Sequence, residues 1–88
     1  MAWTIEWDQR AAKELKKLSK PIQREILIYL NDIAASDDPR RFGKALRYNL
    51  KGLWRYRIAS VYRVVCQFED DHCTIFVVRV SHRRHVYA

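Results

Sequence analysis

Arg55, Arg57 and Arg63 stand two residues apart or a short turn apart in a β-rich stretch of the chain, and Arg83 follows a third β-rich run. A guanidinium is planar, permanently charged and carries five N–H donors, so several of them meeting at one point form a site for an oxyanion such as phosphate. Donors held around phosphoryl oxygens stabilise charge that grows there during a transfer reaction. Tyr87 adds a ring that can stack on a base or hold a phosphate, and His82 adds an imidazole that accepts a proton in its neutral form.

The charge pattern agrees with an anionic ligand. Lys plus Arg number 17 and Asp plus Glu 10, for a net charge of +7, and the excess is confined to one half. Residues 1–39 hold six basic and seven acidic side chains, whereas residues 40–88 hold eleven basic and three acidic. From Arg40 to Phe68 there is no acidic residue. The basic ones, including Arg40, Arg41, Lys44, Arg47 and Lys51, are interleaved with Tyr48, Trp54, Tyr56 and Tyr62. Such a surface attracts a polyanion through phosphates, with affinity that falls steeply as salt rises. An acidic protein segment would meet the same charge, and charge alone does not separate the two partners. Arg40, Arg41, Lys44, Arg47 and Lys51 are expected on a solvated connection, where they could grip nucleic-acid phosphates without reading sequence.

These side chains need a scaffold, and 88 residues suffice for one domain spanning 1–88. Trp3, Ile5 and Trp7 alternate with polar residues as a short strand does. Asp8 is a plausible N-cap, and Ala11, Leu15 and Leu18 recur at helical spacing. Ser19 and Lys20 break that helix. Pro21 suits a first helical turn, and Ile22, Ile26, Tyr29, Leu30 and Ile33 form the stripe of a second helix, completing an antiparallel hairpin. Ser36-Asp37-Asp38-Pro39 stops it, and residues 40–52 read as a connection without period. Trp54, Tyr56 and Ile58 then alternate with arginines, as do Tyr62, Val64, Cys66 and Phe68 with Arg63, Val65 and Gln67. Glu69 to His72 make a hairpin turn, and Cys73 to Val80 a central strand. The expected architecture is α+β: an N-terminal strand, a helical hairpin, then a three-stranded, largely antiparallel sheet packed on the helices. If the helices cover the face bearing Trp54, Tyr56 and Ile58, alternation sends Arg55 and Arg57 to the open face.

Several chemistries are excluded. There is no glycine-rich phosphate loop, no His-Glu-x-x-His, and no triad context for Ser60 or Ser81. His82 and His85 have a metal-like spacing but lack a third ligand, and Arg83 and Arg84 would repel a cation, so no metal or other cofactor is expected. Cys66 and Cys73 are too few for a disulfide scaffold and fit a reducing compartment. The longest apolar run, Ile26 to Leu30, is five residues against the roughly 20 that span a bilayer, so a cytoplasmic location and no membrane partner are expected. RNA cleavage remains compatible with the residues, because a 2′-hydroxyl can attack its own phosphorus and needs no protein nucleophile. The protein must hold an in-line geometry, stabilise the phosphoryl oxygens and move two protons.

The segments Val61-Tyr62-Arg63-Val64-Val65-Cys66-Gln67 and Val80-Ser81-His82-Arg83-Arg84-His85-Val86-Tyr87 resemble the RelE branch of the RelE/ParE toxin superfamily, as do the N-terminal strand, the helix from Ala12 to Leu18 and Lys44-Ala45-Leu46. The resemblance implies a microbial-ribonuclease-like fold. It also implies a ribosome-dependent endoribonuclease that cuts mRNA in the ribosomal A site, restrained by a cognate antitoxin through which alone it would meet DNA. By the same resemblance Arg63 takes the place of the phosphate-stabilising strand arginine, Arg83 that of the arginine near the leaving group, and Tyr87 that of the C-terminal tyrosine that orients substrate. Arg55 and Arg57 fall where RelE proper carries a pair of lysines. Arginine is a poor proton acceptor at neutral pH, which makes His82 the candidate general base with His85 in reserve. The alternatives are a ParE-like toxin that inhibits DNA gyrase without nuclease activity, and an inactive homologue that only binds its antitoxin.

Overall fold

A computed structural model describes residues 2–82. Strand β1 (Thr4–Trp7) leads into helices α1 (Gln9–Lys16) and α2 (Lys20–Ala35), followed by strands β2 (Lys44–Ala45), β3 (Leu53–Ile58), β4 (Tyr62–Glu69) and β5 (Thr74–His82). The five strands form one sheet in the order β1-β5-β4-β3-β2. β3, β4 and β5 are antiparallel neighbours, β1 lies parallel to β5 at one edge, and β2 closes the other. The architecture is the expected α+β one with an additional two-residue strand. Lys44 and Ala45 have no periodicity to announce them; they are strand because they pair with Arg55 and Trp54.

Local chemistry accounts for the helix ends. The Asp8 side chain accepts a hydrogen bond from the Arg10 amide at 3.0 Å, capping α1. Gln23 donates from Nε2 to the Leu18 carbonyl at 2.7 Å, satisfying an acceptor left over at the end of the first helix. At the end of α2 the Ser36 hydroxyl donates to the Ile33 carbonyl at 2.6 Å. No helix among the described residues is long and apolar enough to cross a membrane.

The helical hairpin covers one face of the sheet. Ile26 and Leu30 of α2 and Ala11 of α1 pack with Tyr56, Val64, Cys66, Ile75 and Val77, all fully buried. Burial among these neighbours pushes the Cys66 thiol up to about 12, so it stays protonated near neutral pH and acts as a small apolar side chain. Because Tyr56 and Ile58 face the helices, Arg55 and Arg57 belong to the opposite, uncovered face.

The β3–β4 turn is tight. Ala59 and Ser60 both lie in the left-handed region, with φ of 54° and 65°, and the Val61 amide bonds the Ala59 carbonyl at 2.7 Å. For residues with a Cβ that conformation costs about 1–2 kcal/mol each. Ser60→Gly removes the clash but adds unfolded-state entropy worth about 0.5–1 kcal/mol. The net expectation is a gain below about 1 kcal/mol, read as a rise in the urea midpoint with unchanged slope.

Candidate functional site

β3 and β4 pair so that Arg57 stands directly opposite Arg63 and Arg55 opposite Val65. All three arginines therefore share the open face. Like charges directly opposite on a sheet destabilise it, and a bound anion would relieve that repulsion. Arg55 and Arg63, both half-buried, line a cleft of about 260 Å³ together with Arg79, Ser81 and an apolar floor that includes Leu53 and Val65. No acidic side chain lines this cleft among the described residues. Arg57 is exposed on its shoulder, in an adjoining groove that Arg55 also lines with Lys44 and Tyr29.

Arg79 enters the cleft through a β-bulge. Val65 is paired with Arg79 but the next residue, Cys66, is paired with Val77, leaving Val78 as an extra residue in β5. The bulge breaks strict alternation, so Val78 and Arg79 both line the cleft while Val77 and Val80 are both buried. A period-two reading of Cys73 to Val80 does not place Arg79 in this cleft. The run of consecutive apolar residues from Ile75 to Val78, which departs from alternation, is the signal that a bulge could have left.

Arg79 is held by Glu14, whose position follows from where β1 ends. β1 pairs with β5 only as far as Val77, and the Asp8 amide caps the Val77 carbonyl at 2.9 Å. Past that point the edge of β5 lacks a strand neighbour. Glu14, from α1, fills in: its carboxylate accepts from the Val80 amide at 2.8 Å and from Arg79 Nε at 3.0 and 3.3 Å. Glu14→Ala should cost about 1–3 kcal/mol, because a backbone donor and a guanidinium lose their acceptor together. Faster hydrogen exchange at the Val80 amide, with little change at Val64, is the expected local signature.

The other sequence candidates divide. His82 is corrected: its partner in register is Tyr62, on the face of Val64 and Val80, while Arg63 is paired with Ser81. The imidazole meets the Tyr62 ring edge to face at 5.3 Å between centroids. The strand thus turns His82 away from Arg55, Arg57 and Arg63, toward a hollow it shares with Arg79 and Ser81, and the register does not set it against the β3–β4 arginines as a general base. Arg40 is also corrected, since it does not lie on a solvated connection. It is half-buried, its guanidinium makes two bonds of 2.9 Å to the Asp70 carboxylate, and it stacks over Phe68 at 4.5 Å and Trp54 at 5.8 Å. That pairing holds the Asp70 carboxyl below its ordinary range. Residues Pro39–Phe42 form a 3-10 turn rather than an irregular connection, and Tyr48–Leu50 form another. Arg41 is exposed beside the Phe42 ring, and Lys44, Arg47 and Lys51 are exposed as expected. Arg83, His85 and Tyr87 lie outside the described residues.

The architecture and the cleft define a small basic α+β protein with an arginine-lined cleft on its open sheet face. A family model described as the ParE toxin of type II toxin-antitoxin system, parDE, matches residues 5–87. Toxin RelG of Mycobacterium tuberculosis is 32% identical over 88 residues, which cover 99% of this chain and 98% of that protein. The mRNA interferase toxin RelE of Escherichia coli is 30% identical over 84 residues, covering 94% of this chain and 85% of that one. In the crystal structure of the Mycobacterium tuberculosis toxin–antitoxin complex RelBE2, a chain 30% identical superposes with a TM-score of 0.84, covering 94% of this chain and 93% of that one. This chain belongs to the RelE/ParE superfamily of type II toxins.

Proposed function

We propose that this toxin is a ribosome-dependent endoribonuclease of the RelE branch, formed by one domain of residues 1–88, that cleaves mRNA in the ribosomal A site in the cytoplasm without a metal. The observation that carries the reading is the Arg57–Arg63 cross-strand pair beside Arg55, on the sheet face opposite the helices, whose cleft is lined by no acid among the described residues.

In this reading the 2′-oxygen attacks the adjacent phosphorus, the bond from phosphorus to the 5′-oxygen breaks, and the products are a 2′,3′-cyclic phosphate and a 5′-hydroxyl. Arg55 and Arg63 bond the phosphoryl oxygens as charge develops, and Arg57 holds a flanking phosphate. Following the family resemblance, Arg83 stands near the leaving 5′-oxygen and Tyr87 orients the substrate. With His82 turned from the β3–β4 arginines, His85 becomes the candidate acceptor of the 2′-hydroxyl proton, and that proton, or one from water, passes to the leaving 5′-oxygen to give the 5′-hydroxyl. Arg41, Lys44, Arg47 and Lys51 grip ribosomal RNA through phosphates. The partner that restrains the toxin is a cognate antitoxin; the RelBE2 relative was crystallised as a toxin–antitoxin complex.

Mapping RNA 5′ ends after brief induction tests this reading. New ends should appear inside translated frames and disappear when the start codon of the reporter is destroyed. Growth arrest with gyrase-linked DNA breaks and no new RNA ends would assign the ParE-like activity instead. Expression without arrest would assign an inactive antitoxin-binding homologue.

A further inference from the structure

Three neighbouring hollows on this molecule share lining residues. Arg79 and Ser81 line the arginine cleft and also a second hollow, of about 450 Å³, at the end of the sheet, whose walls include Tyr62, His82 and Lys17. Lys17 in turn lines a groove along α1 with Arg10 and Lys13. A path therefore leaves the cleft, rounds the end of β4 and β5, and runs along the first helix. Arg10, Lys13 and Lys17 are all exposed. Glu14, the one acidic side chain among the described residues lining this path, is already bonded to Arg79 and to the Val80 amide. Midway stand the half-buried rings of Tyr62 and His82, edge to face.

We propose that this path is a second, non-cleaving subsite for single-stranded RNA. The strand leaving the arginine cleft passes over Tyr62 and His82, and its phosphates are then held by Lys17, Lys13 and Arg10. The inference rests on the nuclease reading of the cleft and extends it to the flanking nucleotides. A cationic track interrupted by aromatic rings suits a single strand, whose bases are free to stack while its phosphates follow the charge. An amphipathic acidic peptide fits less well. It needs apolar pockets at helical spacing, and among the described residues the α1 groove is lined by Gln9, Arg10, Lys13, Glu14 and Lys17.

The test uses the full chain and uncleavable 2′-O-methyl oligouridylates of about four and about twelve nucleotides, lengths chosen to fill the cleft alone or the cleft with the path. In anisotropy titrations the longer oligomer should bind roughly tenfold more tightly than the shorter one. Lys13→Ala combined with Lys17→Ala should erase that difference, leave the short oligomer unaffected, and lower the salt slope by about 1.4, as expected for two lost phosphate contacts. Both lysines are exposed, so the variant keeps the fold. Equal affinity of the unmodified protein for both lengths would overturn the proposal, as would full affinity of the lysine variant for the long oligomer. Oligoglutamate that binds as tightly as the RNA and loses affinity in the same variant would overturn it in favour of an acidic protein partner. The nuclease reading fails separately: if Arg63→Ala still cleaves mRNA in cells while the length effect persists, the path stands and the catalytic assignment of the cleft falls.

Discussion

Arg63→Ala is expected to abolish growth arrest and to lower single-turnover mRNA cleavage by about 10²–10³-fold, the usual loss when one preorganised donor to a developing oxyanion is removed. Arg63 is half-buried in the cleft and stands opposite Arg57 in the β3–β4 register. The variant should still unfold in one cooperative step with an unchanged urea slope while activity collapses. A retained fold beside lost activity distinguishes a lost catalytic group from a damaged fold. Arg63→Lys keeps the charge but not the bidentate fork, and should recover only part of the rate. Substantial cleavage by the alanine variant would show that the reaction is carried elsewhere.

Tyr56→Ala should produce the largest loss of stability, about 3–5 kcal/mol, as is typical for removing a buried aromatic ring. Tyr56 is fully buried, meets Tyr29 edge to face at 5.9 Å, and donates its hydroxyl to the Pro39 carbonyl at 2.7 Å. It lies between Arg55 and Arg57 on β3, so its anchorage beneath the sheet holds both guanidinium stems above it. A domain of this size has about 5–15 kcal/mol in all. Urea denaturation should thus show a variant close to unfolding, whereas Tyr56→Phe, which only strands the Pro39 carbonyl, should cost about 1–3 kcal/mol. The same packing explains Gly43. A Cβ there would sit 2.9 Å from Tyr56 Cε1, so Gly43→Ala should cost about 1–3 kcal/mol through overpacking although the glycine's φ of −113° suits any residue.

Much of the scaffold was legible because its signals are local. The Asp8 cap, the proline-led second helix and the alternation of Tyr56 and Ile58 with Arg55 and Arg57 are each written within one turn of helix or one strand. Alternation also fixes which side chains of a single strand travel together, and it put Arg55 and Arg57 on the open face once the helices covered the other. Beyond that distance the signal fades. Nothing near Arg40 announces Asp70, thirty residues away, as the carboxylate that takes it out of the solvated set.

The amino-acid order by itself determined the element types, the two-layer arrangement, the basic half of the molecule and the arginine face, since these depend on neighbours in sequence and on the burial of apolar stripes. Only the tertiary structure decided which arginines share a cleft, that Arg79 joins them, that Glu14 stands in for a missing strand and that His82 faces the helices. Those outcomes depend on register, on one bulge and on where β1 stops. Pairing of distant segments is settled by the packing of the whole core, and a shift of a single residue sends a side chain to the other side of the sheet.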